Sequence, residues 1–205
     1  NWSYIGGICG YTKGTVIKNS KNKGTISGNR YTGGIVGTTN GTVENCVNEG
    51  NVVSTAGYAG GIASEITTSA TITNCINTAN IESKTGLMIG GIVGYANGSA
   101  DASVNNCISL GTVSSAATGD TLGSIIGSIT RGKVINCYGV SKDKVVCGKV
   151  NATYATVTDS YASDDCNEVL YKYATGKELN DCSEDAKNEI VEITSKYAQL
   201  LMDNS

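Results

Sequence analysis

The chain of 205 residues is 40% hydrophobic and 16% charged, apolar enough to bury a core and too apolar for a disordered tail. Its net charge of -3 comes with scattered Lys and Arg, without the basic stripe that nucleic acid requires, and no apolar run approaches the ~20 residues of a membrane-spanning helix. Histidine is absent, which removes Ser-His-Asp and Cys-His nucleophiles and ordinary zinc hydrolase chemistry.

Two phrases recur from the first residues onward. One is Gly-Gly-Ile-x-Gly, at Gly6 to Gly10, Gly33 to Gly37 and Gly90 to Gly94, with variants at Gly60 to Ser64 and Gly123 to Gly127. The other is Val-x-Asn-Cys, ending at Cys46, Cys75, Cys107 and Cys137, with variants ending at Ser20 and Ser160. The cysteines follow one another at 29, 32 and 30 residues, a period that signals stacked units. Each unit holds three short β-branched segments between Gly and Asn, in the second unit Gly34 to Val36, Thr42 to Val47 and Asn51 to Val53. Segments this brief read as strands. The fold predicted for residues 1–163 is an all-β solenoid, a right-handed parallel β-helix of about six three-stranded coils.

Equivalent positions then predict columns. Val16, Val43, Ile72, Val104, Val134 and Val157 head the second phrase and are expected inside, as are Ile26, Val52, Ile81 and Val113 on the closing strand. Asn19, Asn45, Asn74, Asn106, Asn136 and Asp159 share a corner position, where Asn and Asp tolerate φ > 0. Cys46, Cys75, Cys107 and Cys137 read as small buried hydrophobes, not as a metal site, because a linear ladder lacks tetrahedral convergence. Cys9 and Cys147 are expected as buried thiols near the first strand of their coils. One residue further along, the stripe Lys21, Val47, Ile76, Ile108, Tyr138 and Tyr161 should point outward by strand alternation. Of these, Val47, Ile76, Ile108, Tyr138 and Tyr161 form the candidate binding face, unless the corner breaks alternation or the C-terminal segment packs over them.

Beyond residue 163 the repeats stop. Residues 164–205 read as a C-terminal capping segment with an amphipathic helix over about 183–202, N-capped by Ser183, which would shield the open strand edges of the last coil. Cys166 and Cys182 flank this region, and a disulfide between them is one possible state, worth roughly 3 kcal/mol.

The Gly-Gly-Ile-Val-Gly phrase followed by Asn-Gly-Thr-Val-Glu-Asn-Cys (Asn40 to Cys46) resembles the GLUG-motif repeats of bacterial surface and secreted proteins, including the region upstream of the peptidase in IgA-specific zinc metallopeptidases. The match covers residues 4–162. The resemblance implies a secreted or cell-wall-associated location and an adhesin-like or spacer role. The peptidase's His-Glu-x-x-His site has no counterpart in a chain without histidine.

The function expected is therefore a non-catalytic repeat module that recognises a host or matrix protein or glycan, or serves as a spacer. No cofactor or metal is called for. The start at Asn1 without a signal-peptide pattern suggests a piece of a longer secreted polypeptide. The alternative is a polysaccharide lyase or glycoside hydrolase, which a β-helix can host. The outward column Glu44, Thr73, Asn105, Ile135 supplies no second acid, however, and the two arginines, Arg30 and Arg131, lie coils apart. Tyr11, Tyr58 and Tyr95 are further candidates for contact with sugar rings.

Overall fold

The computed structural model describes residues 3–119, 121–143, 145–176 and the isolated positions 183 and 188. The chain winds into a β-solenoid of about five turns, with strands of successive turns paired in parallel throughout. Each turn has five short strands, not three, because the Gly-Gly-Ile phrase is a bend between two strands and the Asn corner divides the segment Thr42 to Val47 into two.

The first face stacks Tyr4–Gly6, Tyr31–Gly33, Gly57–Gly60, Gly86–Gly90 and Thr121–Gly123. The second stacks Cys9–Thr12, Val36–Thr39, Ala63–Thr68, Val93–Gly98, the first half of Ile126–Ile135, and Cys147–Val150. The third holds Val16–Lys18, Thr42–Glu44, Thr71–Thr73, Ser103–Asn105, the second half of Ile126–Ile135, and Ala155–Thr158. The fourth holds Lys21–Asn22, Val47–Asn48, Ile76–Asn77, Ile108–Ser109, Tyr138–Val140 and Tyr161–Ser163, and the fifth Ile26–Gly28, Val52–Ser54, Ile81–Ser83 and Val113–Ser115. A single helix, α1 (Cys166–Thr175), follows the last strand.

The Gly-Gly-Ile phrase is the bend between the first and second faces, not a strand. A Cβ at Gly33 would sit 2.0 Å from Val36 O, and one at Gly34 would sit 2.1 Å from Gly61 O and 2.4 Å from Asn48 Cγ. Only glycine lets the backbone turn back on itself and admit the next turn at this distance. The second corner follows the third face, where Asn19, Asn45, Asn74, Asn106, Asn136 and Asp159 all take φ of 48° to 52°, as the corner reading expected. Asn45 donates through Nδ2 to Asn19 Oδ1 and Asn74 to Asn45, both at 3.3 Å.

Inside, Ile35, Ile62, Ile92 and Ile125 stack beside Val43, Ile72, Val104 and Val134, all fully buried. Cys46, Cys75, Cys107 and Cys137 complete this core, and each thiol donates to the carbonyl two residues before it at 3.1–3.3 Å. Hydrogen bonding to Cys75 and burial push the Cys46 thiol up, and burial with bonds to Cys137 and Cys75 does the same for Cys107. Cys75 is held low as the acceptor of Cys107 and Cys46. A smaller cluster of Val52, Ala59, Ile81 and Ile89 joins the fifth face to the first. Cys9 and Cys147 terminate the column of Val36, Ala63, Val93 and Ile126, half-buried at either end.

Two positions depart from the expected columns. Val16 is 57% exposed, and Ile17 takes the place opposite Val43. The first unit carries one more residue between its glycine and Asn19, and because the Asn corner sets the register, the slip turns Val16 outward. Val157 keeps its place opposite Val134 but is 37% exposed in the last turn. The helix predicted over residues 183–202 lies, apart from the two isolated positions, outside the described residues, as does Cys182. Cys166 opens α1 and is half-buried.

Candidate functional site

The tight glycine bend brings the outward positions of the first and second faces together. On the first face Tyr4, Tyr31 and Tyr58 are in register, followed by Met88 and Thr121. On the second, Tyr11, Thr38, Glu65 and Tyr95 are in register, followed by Ser128 and Lys149. The strands approach so closely that a Cβ at Gly10 would lie 2.5 Å from Tyr4 O. The two columns therefore meet as one seam.

Along it five rings are in continuous contact. Tyr11 and Tyr4 have centroids 5.4 Å apart, Tyr4 and Tyr31 5.0 Å, Tyr31 and Tyr58 5.3 Å, and Tyr58 and Tyr95 5.1 Å. Their planes are tilted by 37° to 84°, the arrangement that the ring quadrupole favours over a face-to-face sandwich. Tyr4 and Tyr11 are exposed, and the other three are half-buried. Beside Tyr31 and Tyr58 is a hollow of about 140 Å³ bounded by Arg30, Gly57 and the exposed Leu87.

Burial raises the Glu65 carboxyl above its ordinary range, opposed by the bond from Thr38 Oγ1 to Glu65 Oε2 at 3.4 Å. Burial, and after it the Glu65 charge, lifts the Tyr31 phenol to about 12. Tyr58 is raised by burial and by Tyr95. The Tyr31 and Tyr58 phenols therefore stay protonated at neutral pH and can both donate and accept. The seam thus offers aromatic carbon, a row of hydroxyls, one carboxyl and one guanidinium.

The predicted face of Val47, Ile76, Ile108, Tyr138 and Tyr161 does form a column on the outside of the fourth face. Its C-terminal half is occupied by α1, whose Val169 and Leu170 pack on Ile108 and Tyr138. Val47, Ile108 and Tyr138 are buried, and Ile76 and Tyr161 are half-buried. Tyr173 meets Tyr138 edge-on at 5.4 Å, and Lys172 Nζ sits 4.7 Å from the centroid of the Tyr161 ring. Tyr161 and Ser163 donate their hydroxyls to the Glu168 carboxylate. The C-terminal half of this stripe is a sheet-to-helix contact.

The column of Lys18, Glu44, Thr73, Asn105, Ile135 and Thr158 keeps its expected register with one carboxylate. Among the described residues no three His, Cys, Asp or Glu side chains are grouped to hold a metal ion.

Of the seam's residues, the tyrosines at 11, 58 and 95 were candidates from sequence, whereas Tyr4, Tyr31 and Glu65 were not. A signal was present. Tyr4-Ile5-Gly6-Gly7-Ile8, Tyr31-Thr32-Gly33-Gly34-Ile35 and Tyr58-Ala59-Gly60-Gly61-Ile62 place a tyrosine two residues before the bend three times over. No family model, curated protein or solved structure matches this chain.

Proposed function

We propose that the protein is a non-catalytic recognition module of a secreted or cell-surface protein, binding a host or matrix component through the tyrosine seam. The observation that carries this reading is the uninterrupted run of five rings, Tyr11, Tyr4, Tyr31, Tyr58 and Tyr95, with centroids 5.0–5.4 Å apart. A stacked parallel solenoid is a stiff support, so little ordering is required on binding. Tyrosine adds large amphipathic contact area with only two side-chain torsions to fix. The likeness to GLUG-motif repeats supports the location and the adhesin-like role.

The test is retention of the labelled protein on host cells and extracellular matrix. Replacing Tyr58 by Ala should weaken retention about tenfold, the worth of one aromatic contact, while Tyr161→Phe leaves it unchanged. Equal retention of wild type and the Tyr58 variant would overturn the seam as the binding surface. Release of new reducing or unsaturated chain ends from polysaccharides incubated with the purified protein would overturn the non-catalytic assignment.

A further inference from the structure

Resting on that recognition role, we infer that the seam binds a linear, uncharged polysaccharide laid along the solenoid axis, with one pyranose ring to each turn. Repeat length is the first ground. Tyr4, Tyr31 and Tyr58 recur once per turn at 5.0 and 5.3 Å, set by the ~4.8 Å spacing of stacked strands. An extended β1,4-linked hexopyranose chain advances by nearly the same distance per ring, so successive sugars stay in phase with successive tyrosines. A proline-rich polypeptide repeats every ~9 Å and would meet only every second ring.

Charge is the second ground. The outward columns carry one carboxyl, Glu65, with Arg30 at the rim of the hollow beside Tyr31 and Tyr58. The next charged side chain in either column is Lys149 in the last turn. A polyanion would meet one arginine and be repelled by Glu65. A neutral sugar can instead use both groups as hydrogen-bond partners. Chemistry is the third. Sugars present C–H faces and hydroxyls together, and tyrosine rings ending in hydroxyls match both.

The seam from Tyr4 to Tyr95 crosses four turns, about 14 Å at the strand spacing, room for about four sugar rings. The experiment is calorimetric titration of the full chain with neutral β1,4-linked oligomers of glucose, N-acetylglucosamine and mannose, from disaccharide to hexasaccharide. Oligogalacturonate and a proline-rich peptide serve as competing ligands. At least one neutral series should bind, with affinity rising up to about tenfold for each sugar added from disaccharide to tetrasaccharide, as expected if each gains a ring contact, and levelling beyond it. Tyr31→Ala and Tyr58→Ala should each weaken the tetrasaccharide about tenfold. Should Tyr31→Ala fail to fold, chemical-shift mapping of the tetrasaccharide on the wild-type chain must place it on Tyr4, Tyr31 and Tyr58.

Absence of binding by every neutral series, affinity independent of length, shifts elsewhere, or preference for oligogalacturonate or the peptide would each overturn the inference. The two readings fail separately. If the Tyr58 variant loses cell and matrix retention while no neutral oligomer binds, the recognition role stands and the polysaccharide assignment falls. If that variant keeps full retention, the role falls as well.

Discussion

The second glycine of each of the first three bends faces a buried amide, and that of the fourth, Gly91, faces the Ser109 hydroxyl. Asn22, Asn48, Asn77 and Ser109 stack inside the fourth face. Asn22 Nδ2 donates to Asn48 Oδ1 at 2.7 Å and Asn48 Nδ2 to Asn77 Oδ1 at 2.8 Å, and each amide also donates to the carbonyl two residues on, Gly24 and Gly50, at 2.9 Å. The fifth turn inverts the pairing. Ser124 replaces the glycine and Gly139 replaces the amide, and a Cβ at Gly139 would lie 2.5 Å from Ser124 Cβ. Gly139→Ser alone should therefore lower unfolding stability by about 1–3 kcal/mol through overpacking. Adding Ser124→Gly should recover most of that loss, because it recreates the Gly91 and Ser109 arrangement of the fourth turn and removes a buried hydroxyl with no partner among the described residues. Urea melts of both variants decide it, and a double variant no more stable than the single one contradicts the pairing. The glycine period was legible in the sequence, whereas this column was not. An isolated Asn after an apolar residue reads as a turn residue, and only stacking shows that its amide is saturated by its own copies.

At the scale of elements, α1 covers the C-terminal half of the fourth-face column, whereas no element among the described residues lies over the tyrosine seam. Asp165 caps the helix by accepting from Asn167 N at 2.7 Å, Glu168 sits in the first turn and Lys172 in the last, and Gly176 ends it with φ of 68°. These are the charges and the left-handed terminus that helix ends favour. Val169, Leu170 and Tyr171 are buried, and Val169 and Leu170 pack along the side of the fourth face, where α1 lies against Tyr138–Val140 and Tyr161–Ser163. Leu170→Ala should cost about 2–4 kcal/mol while leaving retention through the seam unchanged, since Leu170 packs on the fourth face and the seam lies on the first and second. Loss of retention in a folded Leu170 variant would show that the two surfaces are coupled. The outward stripe could be read from strand alternation, and cover by the C-terminal segment was one reading of it, but the element that supplies the cover could not be read. Asn167, Glu168 and Lys172 leave α1 too little apolar periodicity to stand out.

Over the whole molecule, each turn contacts mainly the turns before and after it, so stability is close to a sum of turn and interface terms. Amide exchange should then be slowest in the second to fourth turns, where both neighbours pair with the strand and Ile35, Ile62 and Ile92 are fully buried, and faster in the first and last described turns. Uniform protection from Tyr4 to Ser163 would mean a single cooperative unit and would contradict the nearest-neighbour picture. The column cysteines fit the same gradient, with Cys46, Cys75, Cys107 and Cys137 fully buried in the middle and Cys9 and Cys147 half-buried at either end.

By itself the sequence determined that the chain stacks, which positions form columns, and where the positive-φ corner falls. Those features depend on a residue meeting its own equivalent one period away, so the period alone specifies the contact. Only the tertiary structure decided that a turn has five faces, that α1 covers the fourth, and that Tyr4, Tyr31 and Tyr58 meet Tyr11 and Tyr95. Contacts across a corner depend on how sharply the backbone bends there. At Gly33 and Gly34 that angle is set by carbonyls and amides of the next turn, which are distant in sequence and brought near only by the winding.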